Sequence, residues 1–359
     1  MARKNKKITH FFGLLSLLGS APVLAQGDIQ PVGEEPAAQQ VPPEVQAMAE
    51  YGGVLTPKGR LVLEPEFQYS HESINRMTFT GIEVLSTLLI GAFTAEDLDR
   101  DSYTASLTGR LGVTDRLELE MKVPYVYRDE SRRVTVAEVD PDYTIERDLS
   151  NNSLGDIELA GHYQLNRGLN GMPFFIGNLR YKSTTGQGPF DIRRNSEGTA
   201  QELTTGTGFH SIEPSITMLL PSAPAVYFAN LGYVFHLEDS VNQSLTKKDG
   251  NNIAVGDVDP GDAVRLSFGM AYSINPRTSF TLGYKNDFIG KTKTEYFDPE
   301  KGNKTRVSSQ TLNVGSLLLG WSYQINQNVQ ANLNLELGIT DDAPDTTLTL
   351  RVPFGMNVF

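Results

Sequence analysis

Residues 116–128, RLELEMKVPYVYR, alternate between apolar and polar side chains along most of their length. Leu119 and Met121 fall on one face of this stretch, whereas Glu118 and Glu120 fall on the other. A repeat of two residues indicates a β-strand. At about 3.4 Å per residue the stretch reaches roughly 40 Å, which is longer than the usual strand of a soluble sheet. The pattern therefore raises the question of which face meets water and what the other face meets.

The first 25 residues have the composition of an export signal. Basic residues precede an apolar run from Phe11 to Leu18, and the run is followed by Val23-Leu24-Ala25, which resembles an A-x-A cleavage site. The apolar run is much shorter than the ~20 residues that a membrane-spanning helix needs. We expect residues 1–25 to be a secretory signal peptide and the mature chain to begin at Gln26.

The composition narrows the classes of function. The chain has 43 acidic and 31 basic residues, and removal of the four basic residues of the signal peptide takes its net charge from −12 to −16. This acidity argues against nucleic acid as a partner, because nucleic-acid binding requires a basic surface. The chain has no cysteine, so disulfides and thiol-based metal or redox sites are excluded.

Long alternating segments recur from residue 60 to the end, whereas no apolar run after Ala25 approaches the 18 residues of a membrane helix. The twelve segments are 61–70, 102–112, 116–128, 155–165, 174–183, 211–220, 226–237, 263–274, 279–288, 311–325, 329–339 and 347–354.

The connections between these segments alternate between short and long. The short ones are residues 113–115, 166–173, 221–225, 275–277 and 326–328, and the long polar ones are 71–101, 129–154, 184–210, 238–262 and 289–310. Only the last hairpin, at residues 341–345, is short where a long loop is expected. Short turns on one rim and long loops on the other are typical of bacterial outer-membrane barrels.

The predicted fold is all-β: a transmembrane antiparallel up-and-down β-barrel of about twelve strands over residues 60–359. Leucine and tyrosine are expected to face lipid, and glutamate and lysine to face a wet lumen. A soluble β-sandwich or propeller is the alternative, but soluble strands average about five or six residues. Aromatic residues near the strand ends also favour an interfacial girdle; they are Tyr69, Tyr125, Tyr127, Tyr181, Phe235, Tyr272, Trp321, Tyr323 and Phe354.

The polar faces supply the candidate lumen-lining residues, which carry both signs of charge. They either line a hydrophilic passage or only solvate the interior. A barrel of twelve strands lies between the eight-stranded barrels that side chains fill and the sixteen-stranded barrels that hold a channel. The candidates are Glu64, Glu66, Arg110, Glu118, Glu120, Lys122, Asp156, Glu158, His162, Arg180, Lys182, Glu213, Arg265, Lys285, Asp287, Glu336 and Arg351.

Residues 26–59 form a predicted periplasmic arm that is rich in Pro, Gln, Glu and Ala. One short helix is expected from about residue 43 to 51, before Gly52 and Gly53. Residues 44–59, EVQAMAEYGGVLTPKG, are a candidate plug that folds back into the lumen; the alternative is a loose tether. The candidate plug residues are Glu44, Met48, Tyr51, Gly52 and Gly53.

The sequence does not favour a barrel enzyme. The mature chain has four histidines, His71, His162, His210 and His236, and none stands in a recognisable catalytic arrangement. No HExxH, Walker or zinc-ligand spacing occurs. The aspartates of residues 97–101 and 256–262 lack the later glycine and glutamate of a calcium-binding loop. We therefore predict no catalytic residue, no cofactor and no metal site.

Several wall segments resemble known families. LGDIELAGHYQL (154–165), TTGTGFHSIEPSITMLL (204–220) and ANLGYVF (229–235) resemble the outer-membrane family labelled for the meta-pathway of phenol degradation. GGVLTPKGRLVLEPEFQYSHESINR (52–76) and RLELEMKVPYVYRDE (116–130) resemble the barrel of the pore that secretes functional amyloid subunits.

The resemblance to the amyloid pore implies a homotrimer of twelve-stranded barrels with a helical plug before the first strand and a periplasmic coiled coil before that. Residues 26–50 are too short and too rich in proline for that coiled coil.

The expected function is that of a passive, porin-like transporter in the outer membrane of a Gram-negative bacterium. It would move a hydrophilic or amphipathic solute through the mixed-charge lumen, with uptake of aromatic compounds as one hypothesis. Secretion of an unfolded polypeptide and, less favoured, a barrel enzyme are the alternatives. The expected partners are outer-membrane lipid and lipopolysaccharide, the barrel-assembly machinery, and the small solute or secreted polypeptide.

Overall fold

The computed structural model describes residues 54–85, 88–135, 144–168, 171–195, 200–246, 252–297 and 303–358. The predicted signal peptide, the helix at 43–51 and all five candidate plug residues lie outside these ranges. The described residues form β-strands, turns and loops. Among them, no helix is long and apolar enough to cross a membrane.

Eighteen strands follow one another along the chain. They are β1 (Arg60–Leu85), β2 (Leu88–Thr114), β3 (Leu117–Thr135), β4 (Thr144–Leu154), β5 (Glu158–Gln164), β6 (Phe174–Lys182), β7 (Ser211–Ser222), β8 (Ala225–His236), β9 (Asp239–Thr246), β10 (Asn252–Asp259), β11 (Ala263–Asn275), β12 (Thr278–Ile289), β13 (Lys293–Phe297), β14 (Lys304–Ser308), β15 (Leu312–Asn326), β16 (Val329–Gly338), β17 (Thr346–Arg351) and β18 (Phe354–Asn357).

Antiparallel pairing closes the wall of the barrel. The order runs from β1 through β2, β3, β5, β6, β7, β8, β11, β12, β15 and β16 to β17, and β17 pairs with β1 so that Glu66 lies opposite Arg351. β4 continues β5 beside β3, and β18 continues β17 beside β1, so the wall has twelve strand positions. The predicted twelve-stranded antiparallel barrel is confirmed. Closure leaves no strand edge in the wall unpaired.

A proline lies at each interruption: Pro124 is on β3, opposite the gap between β4 and β5, and Pro353 is in the gap between β17 and β18. Gly155, between β4 and β5, donates its N–H to the carbonyl of Pro124 over 2.9 Å. Pro353 lies between β17 and β18. Because proline has no N–H, it cannot donate to a neighbouring strand, and the ladder is locally broken at these points.

The two faces of the wall have the polarity of a membrane barrel. The side chains of Phe67 and Leu231 are 51% and 53% exposed, whereas Glu66 and Glu213 are each 7% exposed. A soluble protein buries apolar side chains and exposes charged ones. The reverse arrangement answers the question posed by RLELEMKVPYVYR: its carboxylates face the interior of the barrel, and its leucines face outward.

Aromatic side chains form rows on the outer face near both ends of the barrel. Close to the long-loop rim, the ring centroid of Tyr103 lies 5.1 Å from that of Tyr69 and 6.0 Å from that of Tyr127. Near the short-turn rim, Tyr272 pairs with Phe280, which pairs with Trp321. Such rows are typical of interfacial girdles.

The short turns are closed by asparagine. The side-chain oxygen of Asn275 accepts the N–H of Arg277, and that of Asn326 accepts the N–H of Asn328, each over 2.9 Å. Asparagine favours such turns because its side chain bonds the backbone two residues on.

The long-loop rim contains more strand than the sequence indicated. Predicted loops 71–101 and 129–154 are mostly strand, because β1 and β2 stay paired to Leu85 and Leu88, and β3 pairs with β4. Loops 238–262 and 289–310 contain a separate four-stranded sheet, β14-β13-β10-β9. These four connections, which were predicted as long polar loops, therefore contain regular strands. In the connection at 184–210, the described residues 184–195 and 200–210 are largely irregular, with one isolated bridge between Arg194 and Ala200.

Candidate functional site

The charged residues on the inner face form ion pairs with one another. Glu213 on β7 is a hub: its Oε2 accepts from Arg180 on β6 over 2.6 Å and from Arg265 on β11 over 2.9 Å. Arg180 also contacts Glu158 on β5 over 3.1 Å, and Arg265 contacts Asp287 on β12 over 3.1 Å. The five side chains form one chain of alternating charge across nearly half of the wall.

A second hub lies on the opposite side of the barrel. Glu66 on β1 accepts from Lys122 over 2.8 Å, from Arg351 over 2.5 Å and from the hydroxyl of Ser106 over 3.0 Å. Its two basic partners are on β3 and β17, so the hub joins three wall strands across the closing seam.

The other predicted lumen residues also find partners. Arg110 bonds Glu64, and Lys285 bonds Glu336. Lys182 lies 3.6 Å from Asp156. These contacts group the predicted residues in pairs or in hubs. Burying a paired charge destabilises the protein less than burying an isolated charge.

Glu118, Glu120 and His162 form a cluster in which one ligand atom of each lies within 4.8 Å of the others. His162 Nδ1 lies 2.8 Å from the side-chain oxygen of Asn178, and Nε2 lies 3.7 Å from Glu120. The residue types suit a divalent cation. The sequence did not indicate the cluster, because its members come from β3 and β5.

The first described residues of the chain lie inside the barrel, against the same cluster. The N–H of Thr56 donates to Glu118 Oε2 over 2.8 Å. A Cβ added to Gly112 would lie 2.0 Å from the carbonyl oxygen of Pro57, so the close approach of this segment requires glycine there. Residues 56–57, at the end of the predicted arm, therefore lie in the lumen near the short-turn rim.

The 184–210 loop is anchored to the inner face by Asp156. This carboxylate accepts the N–H of Gly186 over 3.1 Å, and both the N–H and the hydroxyl of Thr207 over 2.8 Å. A Cβ added to Gly206 would lie 2.3 Å from Asp156 Oδ1 and 2.8 Å from the Cα of Gly186. Two stretches of the loop thus cross at glycines over one buried carboxylate.

The same loop packs against the separate sheet of the long-loop rim. Phe209 is 1% exposed and clusters with Val255 and Val258 of β10, which are fully buried. Phe190 and Tyr296 pack against this cluster. The cluster is an apolar core of the ordinary soluble kind, and it ties the loop to strands that stand outside the wall.

An ion pair also joins Arg193 to Glu202 within the 184–210 loop. Arg193 Nε donates to Glu202 Oε1 over 2.5 Å. This hydrogen bond holds the pKa of Glu202 below its ordinary value and raises the pKa of Arg193.

A cavity of about 260 Å³ lies within the barrel between β1, β2, β3 and the strands opposite. Its lining is mostly polar, and Val314 and Pro344 supply apolar surface. The polar lining residues are Gln68, Ser70, Glu72, Arg100, Ser102, Thr104, Arg128, Lys285, Asp287, Ser316, Glu336 and Thr347.

The histidines of the described chain bond carboxylate, amide, carbonyl or phenol groups. His71 bonds Asp101, His210 lies 2.9 Å from the hydroxyl of Tyr181, and His236 bonds the carbonyl of Gly261. With His162 in the cluster described above, no described histidine bonds a serine hydroxyl, which a hydrolase of the Ser-His type requires.

The aspartate-rich stretches lie in β2 and in or just after β10. Asp259 pairs with Lys293, and Asp262 accepts from Tyr233 and from the N–H of His236. These carboxylates therefore have partners within the protein.

No family model matches the chain. Among solved structures, an outer-membrane channel from Pseudomonas putida F1 is similar, with a TM-score of 0.54 and 12% identity over 84% of this chain and 97% of that chain. A deletion mutant of the monoaromatic hydrocarbon channel TodX has a TM-score of 0.48 and 10% identity over 88% and 93%. The transport unit of the autotransporter AIDA-I from Escherichia coli has a TM-score of 0.44 and 11% identity over 89% and 100%.

The chain has the fold of an outer-membrane β-barrel. The similarity to the Pseudomonas channel carries this statement, and at 12% identity it speaks for the fold alone.

Sequence reasoning missed four charged residues of the barrel interior. Glu72, Arg100 and Glu130 fall in the predicted loops, but they lie on β1, β2 and β3, where Arg100 bonds Glu130 over 2.6 Å. Arg128 falls on the polar face of β3 by parity alone. Because Arg128 lies six residues after Lys122, the alternation predicts that both side chains point into the barrel. The sequence does not distinguish Arg128 from the other charged residues of that face.

Proposed function

We propose that this protein is a passive channel of the bacterial outer membrane for a small hydrophilic or amphipathic solute. The observation that carries the proposal is the closed barrel with an apolar outer face and an interior lined by paired charges. Such a wall is stable in lipid because every strand is paired, and a charged interior suits water and polar solutes.

The paired charges are better suited to a passage than to a structural core. Burying many ions costs more than packing apolar side chains of similar volume, so a barrel selected only for stability would gain from replacing them. Glu213 and Glu66 instead each hold basic partners from neighbouring strands, so the charges of the interior are paired along the wall.

The 184–210 loop favours a small solute over a polypeptide. It is bonded to the inner face at Asp156, and one cavity of the interior holds about 260 Å³. Secretion of an unfolded chain would require this loop to leave the lumen.

Membership of the phenol-degradation family and relationship to the amyloid pore stay predictions. The signal peptide, the trimer and the partners named above also stay predictions.

Planar-bilayer recordings test the proposal. The mature chain from Gln26 should give discrete conductance steps, and the boiled, unfolded chain at the same concentration should give none. A chain lacking residues 26–58 should conduct more if the arm obstructs the lumen, because Thr56 and Pro57 lie inside the barrel. Closed bilayers with both folded chains would contradict the channel, whereas equal conductance would contradict only the plug.

A further inference from the structure

Arg128 differs from eight other basic residues of the barrel interior. Each of the eight lies within 4 Å of a carboxylate of the described chain. They are Arg100, Arg110, Lys122, Arg180, Lys182, Arg265, Lys285 and Arg351. Arg128 has no carboxylate at that distance among the described residues.

The bonds that Arg128 makes are to a neutral residue. Its Nη1 donates to the carbonyl oxygen of Thr204 over 2.7 Å and to the hydroxyl of Thr204 over 3.2 Å. Its Nε is shielded from solvent and has no acceptor in the described chain. A guanidinium presents donors in a planar fork that matches a carboxylate, and here that capacity is only partly used.

Arg128 lines the cavity, and hydroxyl groups surround it there. Ser102 is its direct neighbour on β2, and Thr104 and Ser70 line the same space. These groups can hydrogen-bond a polar solute without adding charge. The cavity exceeds the roughly 15 Å³ that one water molecule needs by a wide margin, so it has room for a small organic molecule.

The strands across the cavity supply apolar surface. Val314 on β15 and Pro344, in the connection before β17, line it. Val314 belongs to a buried apolar cluster with Leu312 and Ala343. The cavity therefore combines the guanidinium of Arg128 on β3 with a small apolar surface from β15 and the last connection. The carboxylates in its lining each pair with a basic residue other than Arg128; they are Glu72, Asp287 and Glu336.

We infer that the cavity binds a small organic monocarboxylate, with its carboxylate on Arg128 and its apolar body toward Val314 and Pro344. This inference rests on the proposed function in that the cavity lies within the proposed passage. It assigns a chemical class to the solute: a carboxylate of short apolar or aromatic body rather than a neutral molecule or a cation.

Calorimetric titration tests the inference with benzoate and butyrate as probes and with benzamide and butyramide as neutral partners of the same shape. The mature chain is titrated in an uncharged detergent at low chloride. Both carboxylates should bind, and each amide should bind at least tenfold more weakly. An amide that binds as tightly as its acid, or the absence of saturable binding of both acids, would overturn the inference, and neither measurement needs a variant.

Variants then locate the site. Arg128→Gln should weaken benzoate binding at least tenfold, which is about 1.4 kcal/mol, and Arg128→Lys should weaken it less because the charge remains. Arg277→Gln, at an exposed turn, removes the same charge elsewhere and should leave binding unchanged. Wild-type affinity in folded Arg128→Gln would overturn the assignment.

Conductance separates this inference from the proposed channel. A chain that conducts potassium chloride but binds no carboxylate keeps the channel and loses the site. A chain that binds benzoate through Arg128 but never conducts keeps the site and loses the channel.

Discussion

At the scale of single residues, the interior of the barrel is organised by carboxylates that serve two basic partners each. Glu213 is 7% exposed and bonds both Arg180 and Arg265. Removing one shared carboxylate thus leaves two guanidinium groups short of an acceptor. The cost should exceed that of breaking an ordinary surface pair, although both arginines keep contact with the lumen.

Glu213→Gln should therefore lower the free energy of unfolding by about 1–2 kcal/mol, a value reduced from the 3–5 kcal/mol of a fully buried pair because the arginines are partly exposed. Urea unfolding in lipid vesicles measures the change. Glu238→Gln is the matched control, since Glu238 pairs with Arg306 over 3.5 Å and both side chains are about half exposed. It should cost less than about 0.5 kcal/mol. Equal costs would contradict the role of Glu213 as a hub.

The sequence predicts the direction of such residues but not their partners. Glu66, Lys122 and Arg351 fall on polar faces by parity alone, yet they belong to strands β1, β3 and β17. Their meeting depends on closure of the barrel between the first and last strands, which no local pattern contains. The sequence could not single out Arg128 for the same reason, because the absence of a described carboxylate within 4 Å of its guanidinium is a property of the assembled wall.

At the scale of elements, the 184–210 loop combines a polar anchor with an apolar one. Asp156 holds it from the inner face of the wall, and Phe209 packs it against Val255 and Val258 of the separate sheet. The two anchors predict separable effects. Loss of the polar one should free the part of the loop within the lumen while the apolar core remains.

Asp156→Ala removes three hydrogen bonds to the loop, each contributing about 1 kcal/mol, of which some will be regained from water. Opening of the loop should become more frequent by a factor on the order of 30, equivalent to about 2 kcal/mol. Trypsin cleavage after Arg193, whose side chain is 81% exposed, measures this opening. Asp129→Ala, on the exposed side of β3, should leave the cleavage rate unchanged. An unchanged rate in Asp156→Ala would show that the apolar anchor suffices.

Gly206→Ala approaches the same element from the backbone. The new Cβ would overlap Asp156 Oδ1 and the Cα of Gly186, so the crossing of the loop must open. Faster trypsin cleavage and raised bilayer conductance are expected together. Gly161→Ala is the control in a wall strand, where the nearest atom would be Leu119 Cδ2 at 3.8 Å. If both variants behave like the wild type, the loop does not obstruct the passage.

Elements in the wall were predictable, whereas those above the long-loop rim were not. Within the wall, the demands of the two faces force the period of two that is visible in RLELEMKVPYVYR. Beyond the rim, neither face needs to be apolar, so β1 and β2 continue to Leu85 and Leu88 without that period. The sheet of β9, β10, β13 and β14 is joined from two separate connections, so no local stretch of sequence contains its pairing.

At the scale of the whole molecule, stability comes from closure and from the surroundings rather than from cross-links. The chain has no cysteine, and the large apolar side chains of the wall point outward. In water this surface would be a liability, because exposed apolar patches of such extent promote association. In lipid the same surface is solvated, and the paired backbone of the closed wall needs no water.

A charged substitution on the outer face tests whether that face meets water or lipid. Leu231 is 53% exposed, and in the wall it lies beside Ile216 and Leu266, so an arginine there would have to leave water for hydrocarbon. Leu231→Arg should lower the free energy of unfolding in vesicles by about 2–4 kcal/mol if the position lies near the middle of the bilayer.

The neighbouring residue provides the control for that variant. Asn230 is one position away and points inward, where its amide donates to the hydroxyl of Thr217 over 2.7 Å. Asn230→Arg adds the same charge to the wet face and should cost less than Leu231→Arg, since only the hydrogen bonds to Thr217 and, over 3.5 Å, to Ser215 are lost there. A soluble barrel would reverse the order, because an exposed arginine is tolerated in water. The relative unfolding free energies of two adjacent substitutions therefore decide which face of this wall meets lipid.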